Sequence, residues 1–158
     1  SPNCLFCPLS GSCRALSEGK VQQLPVKQHR TKTTNRYFNY IYVRMGAHTL
    51  IHKRTEDDIW KNLFELPLVE TEKDLSEEEF LACPQFHALF AEGEVRMVRT
   101  LLRGVKHVLS HRVIYTNFYE VTLPDNSSSF SSYQRVAVED LGRYAVPRLI
   151  HAFLEKYV

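Results

Sequence analysis

The chain has 158 residues, 44% of them hydrophobic and 11% aromatic, enough apolar material for the core of one ordinary domain plus an appendage. This composition excludes a disordered tail and a peptide that needs staples, and no run of about 18 apolar residues is present to form a membrane-spanning helix. Net charge is only +2, but Lys20, Lys27, Arg30, Lys32 and Arg36 stand against the single acid Glu18 between Arg14 and Tyr37. Such a local basic arm suits phosphate contact or a solvated linker. With no initiator Met and no signal-like apolar start, Ser1 reads as the beginning of a piece of a longer protein.

Three cysteines fall in the first thirteen residues, spaced Cys4-x2-Cys7-x5-Cys13, and Cys83 stands far away. This is a metal-ligand spacing and not a disulfide framework; zinc and iron-sulfur both suit it, and a fourth ligand is expected upstream of Ser1. Leu24 to Lys32 shows neither helical nor strand period, and Pro25 blocks a central strand, so an extended connector is expected there. Arg36 to Met45, with Tyr37, Phe38, Tyr40, Ile41, Tyr42 and Val43 in near-continuous succession, predicts a strand covered on both faces. Gly46-Ala47 predicts a turn, and Thr49-Leu50-Ile51 opens a second strand ending in His52-Lys53-Arg54, a basic tip suited to phosphate or to water.

Trp60-Lys61-Asn62-Leu63-Phe64-Glu65-Leu66-Pro67 carries the only Trp, and its apolar members read as core. Ser76-Glu77-Glu78-Glu79 spells a capping box, predicting a helix that buries Phe80, Leu81 and Cys83, with Pro84 starting a second helical piece through Phe86, Leu89 and Phe90. Val95 to Val108 predicts a strand broken by a bulge or bend at Gly104. Arg112 to Leu123 predicts a half-buried strand, with Val113, Tyr115, Tyr119 and Val121 on one face and Arg112, Thr116, Glu120 and Thr122 on the other. Between them the short polar loop Leu109-Ser110-His111 either presents Ser110 and His111 to a ligand or is an ordinary hairpin turn. The serine-rich stretch after Leu123 predicts a flexible hairpin loop. Tyr133 to Val138 then predicts a last strand, Glu139-Asp140 a helical turn, and Pro147 the start of a final helix with Ile150, Phe153, Leu154 and Tyr157 on its apolar stripe.

Cys-x2-Cys-x5-Cys followed by a basic linker resembles the end of the iron-sulfur loop of endonuclease III and MutY DNA glycosylases. Trp-x-x-Leu-aromatic-Glu-Leu-Pro at Trp60 to Pro67, placed after two strands and before an acidic helix, resembles the C-terminal domain of MutY-type adenine DNA glycosylases, which is built on the Nudix fold. Leu109-Ser110-His111 resembles that family's Phe-Ser-His loop, with Leu109 where Phe is usual. The resemblance covers nearly the whole chain.

It implies an α+β fold, a Nudix-like mixed β-sheet flanked by helices and preceded by an extended connector. Residues 1–19 are expected to be a truncated cluster loop, 20–34 a basic interdomain connector, and 35–158 a lesion-recognition domain. The implied function is recognition of 8-oxoguanine paired with adenine, by Leu109, Ser110 and His111, in the service of an adenine glycosylase whose catalytic residues lie outside this chain. Lys27, Arg30, Lys32, Arg36, Lys53 and Arg54 are the candidate DNA-backbone contacts. Cys4, Cys7 and Cys13 are implied as ligands of a 4Fe-4S cluster in the longer protein, absent or incomplete in this piece. Double-stranded DNA is the implied partner of a monomer with no membrane association, in the bacterial cytoplasm at the nucleoid. The alternatives are a metal-dependent Nudix hydrolase of nucleotide diphosphates and a metal-binding interaction module. Against the hydrolase, the Gly-x5-Glu-x7-Arg-Glu-apolar-x-Glu-Glu motif is missing, since no Gly and no Arg occurs between Pro67 and Phe90.

Overall fold

A computed structural model describes residues 2–24, 26 and 33–158, and the chain divides into two units, Ser1–Lys32 and Thr33–Val158. In the first unit, single 3₁₀ turns at Cys4–Phe6 and Ser10–Ser12 lead into a short helix, α1 (Arg14–Ser17). Gly19 takes a positive φ of 67° and the Lys20 N–H donates to Ala15 O, so the chain turns back after α1. Lys20 to Leu24 therefore forms a turn, and the stretch from Leu24 to Lys32 expected to be extended lies mostly outside the described residues. Pro25 and residues 27–32, including the candidate phosphate contacts Lys27, Arg30 and Lys32, lie outside the described residues.

The second unit is built on a four-stranded mixed sheet in the order β4-β1-β6-β5, from β1 (Thr34–Arg44), β4 (Leu68–Thr71), β5 (Met97–Val108) and β6 (Arg112–Thr122). β1 and β6 run parallel in unbroken register, from Thr34 opposite Arg112 to Arg44 opposite Thr122. Alternation along β1 sends Phe38, Tyr40 and Tyr42 to one face and Ile41 and Val43 to the other, and each set joins a different core cluster. The first face is covered by α4 (Arg148–Tyr157) through Leu149, Ile150 and Phe153, the last stacked on Phe118 at 4.1 Å between ring centroids. The second is covered by α2 (Glu77–Leu81) and α3 (Pro84–His87) through Phe80 and Phe86. Each such side chain, fully buried, contributes about 1.5–3 kcal/mol. A second, antiparallel sheet pairs β2 (His48–Lys53) with β3 (Phe64–Glu65) and β7 (Gln134–Ala137). The result is the α+β arrangement the sequence implied, with helices on both faces of a mixed sheet.

Local signals are realised at single residues. Ser76 Oγ accepts from the Glu79 N–H and the Glu79 carboxylate accepts from the Ser76 N–H, closing the capping box of α2. Gly104 takes φ 68° at the register shift between Leu102 and Val105, and its N–H donates to the Asn117 side chain at 2.9 Å. Asn117 in turn donates to Asn39, and Asn39 to Val69 O, so a buried amide chain ties the bulge to the far edge of the sheet.

Two expectations are corrected. β6 is a central strand buried on both faces from Thr116 to Val121, where a half-buried strand was predicted; its Ile114 and Phe118 meet one core and Tyr119 and Val121 the other. The serine-rich segment after it does not close a hairpin either, because β6 and β7 belong to different sheets. Nor is it loose: Glu94 accepts hydrogen bonds from the Ser127, Ser128 and Ser129 hydroxyls and from the Ser128 and Ser129 N–H groups.

Those bonds hold the Glu94 carboxyl down at about 2, from a usual 4.5. The Ser127 and Ser129 hydroxyls contribute first, and the Ser128 amide next. A depressed carboxylate stabilises the folded state above its unfolded pKa and loses that contribution as pH falls through the folded value. The segment is therefore fully tied above pH 4.5 and should come free as pH drops toward about 2. In an NMR titration the Ser128 and Ser129 amides should shift together with that low midpoint; a midpoint at the ordinary glutamate value would show that the bonds are not formed.

Candidate DNA-reading site

β5 and β6 are antiparallel, and the Leu109 N–H donates to Arg112 O at 2.8 Å to close the tip between them. Ser110 and His111 are exposed there, whereas Leu109 is half-buried and packs on the α4-side core. The tip is tied to the sheet beside it, for the His111 carbonyl accepts from the Thr34 N–H at 3.1 Å. Of the three residues expected to read a base, the structure thus exposes two polar side chains and uses the third as an anchor. An open groove of about 520 Å³ lies against this tip, lined by Leu109, Ser110, His111 and Arg112 on one side and by Asp57, Asp58 and Ile59 on the other.

The far wall belongs to the connection between β2 and β3, where the sequence reading took up Arg54 and the Trp60 segment but not Asp57, Asp58 and Ile59. Trp60 and Asn62 adopt positive φ of 60° and 70°, a left-handed conformation costly for residues with a Cβ. Arg54 holds the connection in this shape: its N–H donates to Leu63 O, its carbonyl accepts from the Asn62 N–H, and its Nε donates to Ile59 O at 3.1 Å. Trp60 then packs edge-on to Phe38, with centroids 6.1 Å apart, and lies 5.8 Å from the His107 ring on β5.

Charge pairs lace the same region. Glu65 accepts both contacts of Arg54 Nη1 at 2.8 Å and the Tyr40 hydroxyl at 3.0 Å, and lies 3.2 Å from His52 Nε2. Arg36 donates to Glu70 through two nitrogens at 2.6 Å and to Asp58, which also accepts from Arg112. Burial opposes ionisation of Asp58, but hydrogen bonds from Arg36, the Ile59 N–H and Arg112 outweigh it and hold the carboxyl well below the usual carboxylate range. Tyr40 is pushed above the ordinary tyrosine range by burial first and by the neighbouring Glu65 charge second.

These pairs correct two phosphate assignments. Arg54 is not a surface tip: its side chain is 8% exposed, because its guanidinium is the counter-charge of the buried Glu65. Arg36, with a side chain 18% exposed, is likewise taken up by Glu70 and Asp58. Lys53 is exposed at the end of β2 and makes no ion pair with another of the described residues. No three His, Cys, Asp or Glu side chains among the described residues are grouped to hold a metal ion. Cys4, Cys7 and Cys13 lie in and between the short turns of the first unit, and Glu79 of the acidic helix is committed to its cap. A second cavity, of about 570 Å³, lies at the other end of β5 and β6, but its Arg44 and Arg99 are offset by Glu120 and Glu139, so its charge favours no one ligand.

The NUDIX domain profile matches residues 39–156, three quarters of the chain, from the middle of β1 into the last turn of α4. The chain belongs to the NUDIX domain family. Within this NUDIX chain the similarity extends beyond the domain itself: the adenine DNA glycosylase of Buchnera aphidicola (subsp. Acyrthosiphon pisum) is 24% identical over 159 residues, spanning 99% of this chain and 43% of the relative. The chain thus spans less than half the length of that curated relative. Among solved structures, the C-terminal domain of mouse MUTYH, determined in complex with human PCNA, superposes with a TM-score of 0.61 at 14% identity, covering 77% of this chain and 86% of that one. MutT from Methanosarcina mazei superposes with a TM-score of 0.51 at 17% identity, covering 80% and 95%. Both likenesses establish the NUDIX fold, and the resemblance to adenine glycosylase C-terminal domains read from the sequence holds.

Proposed function

We propose that this NUDIX domain is the lesion-reading part of an adenine DNA glycosylase and recognises 8-oxoguanine opposite adenine with the tip at Ser110 and His111. The observation that carries the reading is that tip: an exposed hydroxyl and an exposed imidazole on a braced hairpin, bordering an open groove. Similarity along 99% of the chain to a curated adenine DNA glycosylase supports it. The chemistry required is a hydrogen-bond distinction, since guanine N7 accepts whereas 8-oxoguanine carries a proton on N7 and a carbonyl at C8. A serine hydroxyl both donates and accepts, so Ser110 suits either new group. Fluorescence anisotropy with matched duplexes tests this: adenine opposite 8-oxoguanine should bind more tightly than adenine opposite guanine, and equal affinities at several salt concentrations would end the proposal.

The NUDIX fold itself keeps the hydrolase reading in view. The chain, supplied with 8-oxo-dGTP and magnesium, should release no pyrophosphate above background; turnover would make it a nucleotide hydrolase.

Backbone contact is assigned to Lys27, Arg30, Lys32 and Lys53. Changing Lys27, Arg30 and Lys32 together to Ala should weaken lesion and undamaged duplex alike and flatten the salt dependence by about 2–3 units. An unchanged slope would return the arm to a linker. Cys4, Cys7 and Cys13 are proposed as three of four 4Fe-4S ligands in a longer chain that supplies the fourth. Anaerobic reconstitution of the present chain should leave no stoichiometric iron after gel filtration, and a retained cluster would contradict this.

A further inference from the structure

The reading tip is held at its base by an acid from a distant part of the chain. Arg112 directly follows His111, and its guanidinium donates to Asp58. Asp58 also receives Arg36 from β1 at 2.5 Å and Arg54 at 3.3 Å, so one carboxylate joins the β2–β3 connection to two neighbouring strands. Arg36 is fixed on its other side by Glu70, and Arg54 by Glu65, whereas Arg112 has Asp58 as its one acidic partner among the described residues; its side chain is 37% exposed. Because the Leu109 N–H closes the tip on Arg112 O, the position of Arg112 sets the position of Ser110 and His111.

We propose that Asp58 is a positioning residue for lesion discrimination: its carboxylate, gripped by Arg36 and Arg112, fixes the Ser110-His111 tip in the shape that reads the base. The inference rests on the proposed function and deepens it, because Asp58 need not touch DNA to matter. It also carries a charge consequence. Arg36, Arg54 and Arg112 are balanced by Asp58, Glu65 and Glu70. Removing the Asp58 charge leaves one uncompensated cation beside the tip, which attracts any phosphate backbone regardless of sequence.

The test is Asp58→Asn in the full chain, assayed on duplexes with adenine opposite 8-oxoguanine and opposite guanine. Preference for the lesion should fall by about tenfold. Affinity for the undamaged duplex should hold or rise, with the salt slope steeper by about 1 unit. Simple loss of fold would lower both affinities together and leave the slope alone. Asp140→Asn, which removes the same charge from a surface pair with Arg143 and does not line this groove, should leave the lesion preference unchanged. Arg112→Gln, which leaves Asp58 satisfied by Arg36, should reproduce the loss of preference if Asp58→Asn does not fold. Amide exchange without DNA gives an independent readout, expected to quicken by tenfold or more at Leu109 and Thr34, with the centre of β1 and β6 unchanged. A folded Asp58→Asn chain with full lesion preference and unaltered exchange at the tip would overturn the inference. Absence of any preference in the unaltered chain would instead end the proposed function, and the exchange arm would then decide alone whether Asp58 holds the tip.

Discussion

Glu65→Ala is expected to destabilise the NUDIX unit by about 3–5 kcal/mol in chemical denaturation, because it leaves Arg54 buried without its counter-charge. The side chains of Glu65 and Arg54 are 3% and 8% exposed, so water cannot replace the lost partner without opening the structure. The Tyr40 hydroxyl, in the core, loses its acceptor at the same time. A double change, Arg54→Met with Glu65→Met, removes both charges and should recover much of the loss, since a buried ion pair is often matched by apolar packing of similar size. It would not recover the shape of the β2–β3 connection, which depends on Arg54 Nε holding Ile59 O. The double variant is therefore expected to be stable yet impaired at the groove. A Glu65→Ala loss below about 1 kcal/mol would place the pair among surface ion pairs.

Ser110→Ala with His111→Ala should cost about 1–3 kcal/mol of preference for 8-oxoguanine over guanine opposite adenine, with folding nearly unaffected. Both side chains are exposed, and neither makes a side-chain hydrogen bond found among the described residues, so their truncation removes no internal bond. The tip itself is closed by backbone groups, from Leu109 N–H to Arg112 O and from Thr34 N–H to His111 O, which alanine leaves intact. Leu109→Ala belongs to another class of change. Leu109 packs on the core, so its loss should lower stability before it alters discrimination.

Local chemistry made much of the fold legible in the sequence. The capping box at Ser76, the bulge at Gly104 and the doubly covered strand through Tyr40 each follow from a few adjacent residues, and each is present. What stayed hidden depends on pairing between distant segments. β6 reads as half-buried because Arg112, Thr116, Glu120 and Thr122 form a polar face, yet Thr116 and Glu120 are buried and Glu120 is partnered across the sheet by Arg99. Arg36 and Arg54 read as basic surface because their acids, Asp58, Glu65 and Glu70, lie between 4 and 34 positions away. The serine-rich stretch reads as loose because the carboxylate that gathers its hydroxyls, Glu94, sits 33 positions before Ser127. At the candidate site the tip at Ser110 was legible as a motif, whereas its brace at Asp58 carries no local signature.

The most direct measurement of the central claim is an NMR titration of the chain with two short duplexes that differ only in guanine or 8-oxoguanine opposite adenine. The account predicts that Ser110, His111 and the groove wall at Asp57 to Ile59 shift with the lesion duplex and respond weakly, or not at all, to the guanine duplex, while both duplexes perturb the basic arm alike. Identical shifts at the tip with both duplexes, or lesion-dependent shifts confined to other parts of the chain, would contradict it.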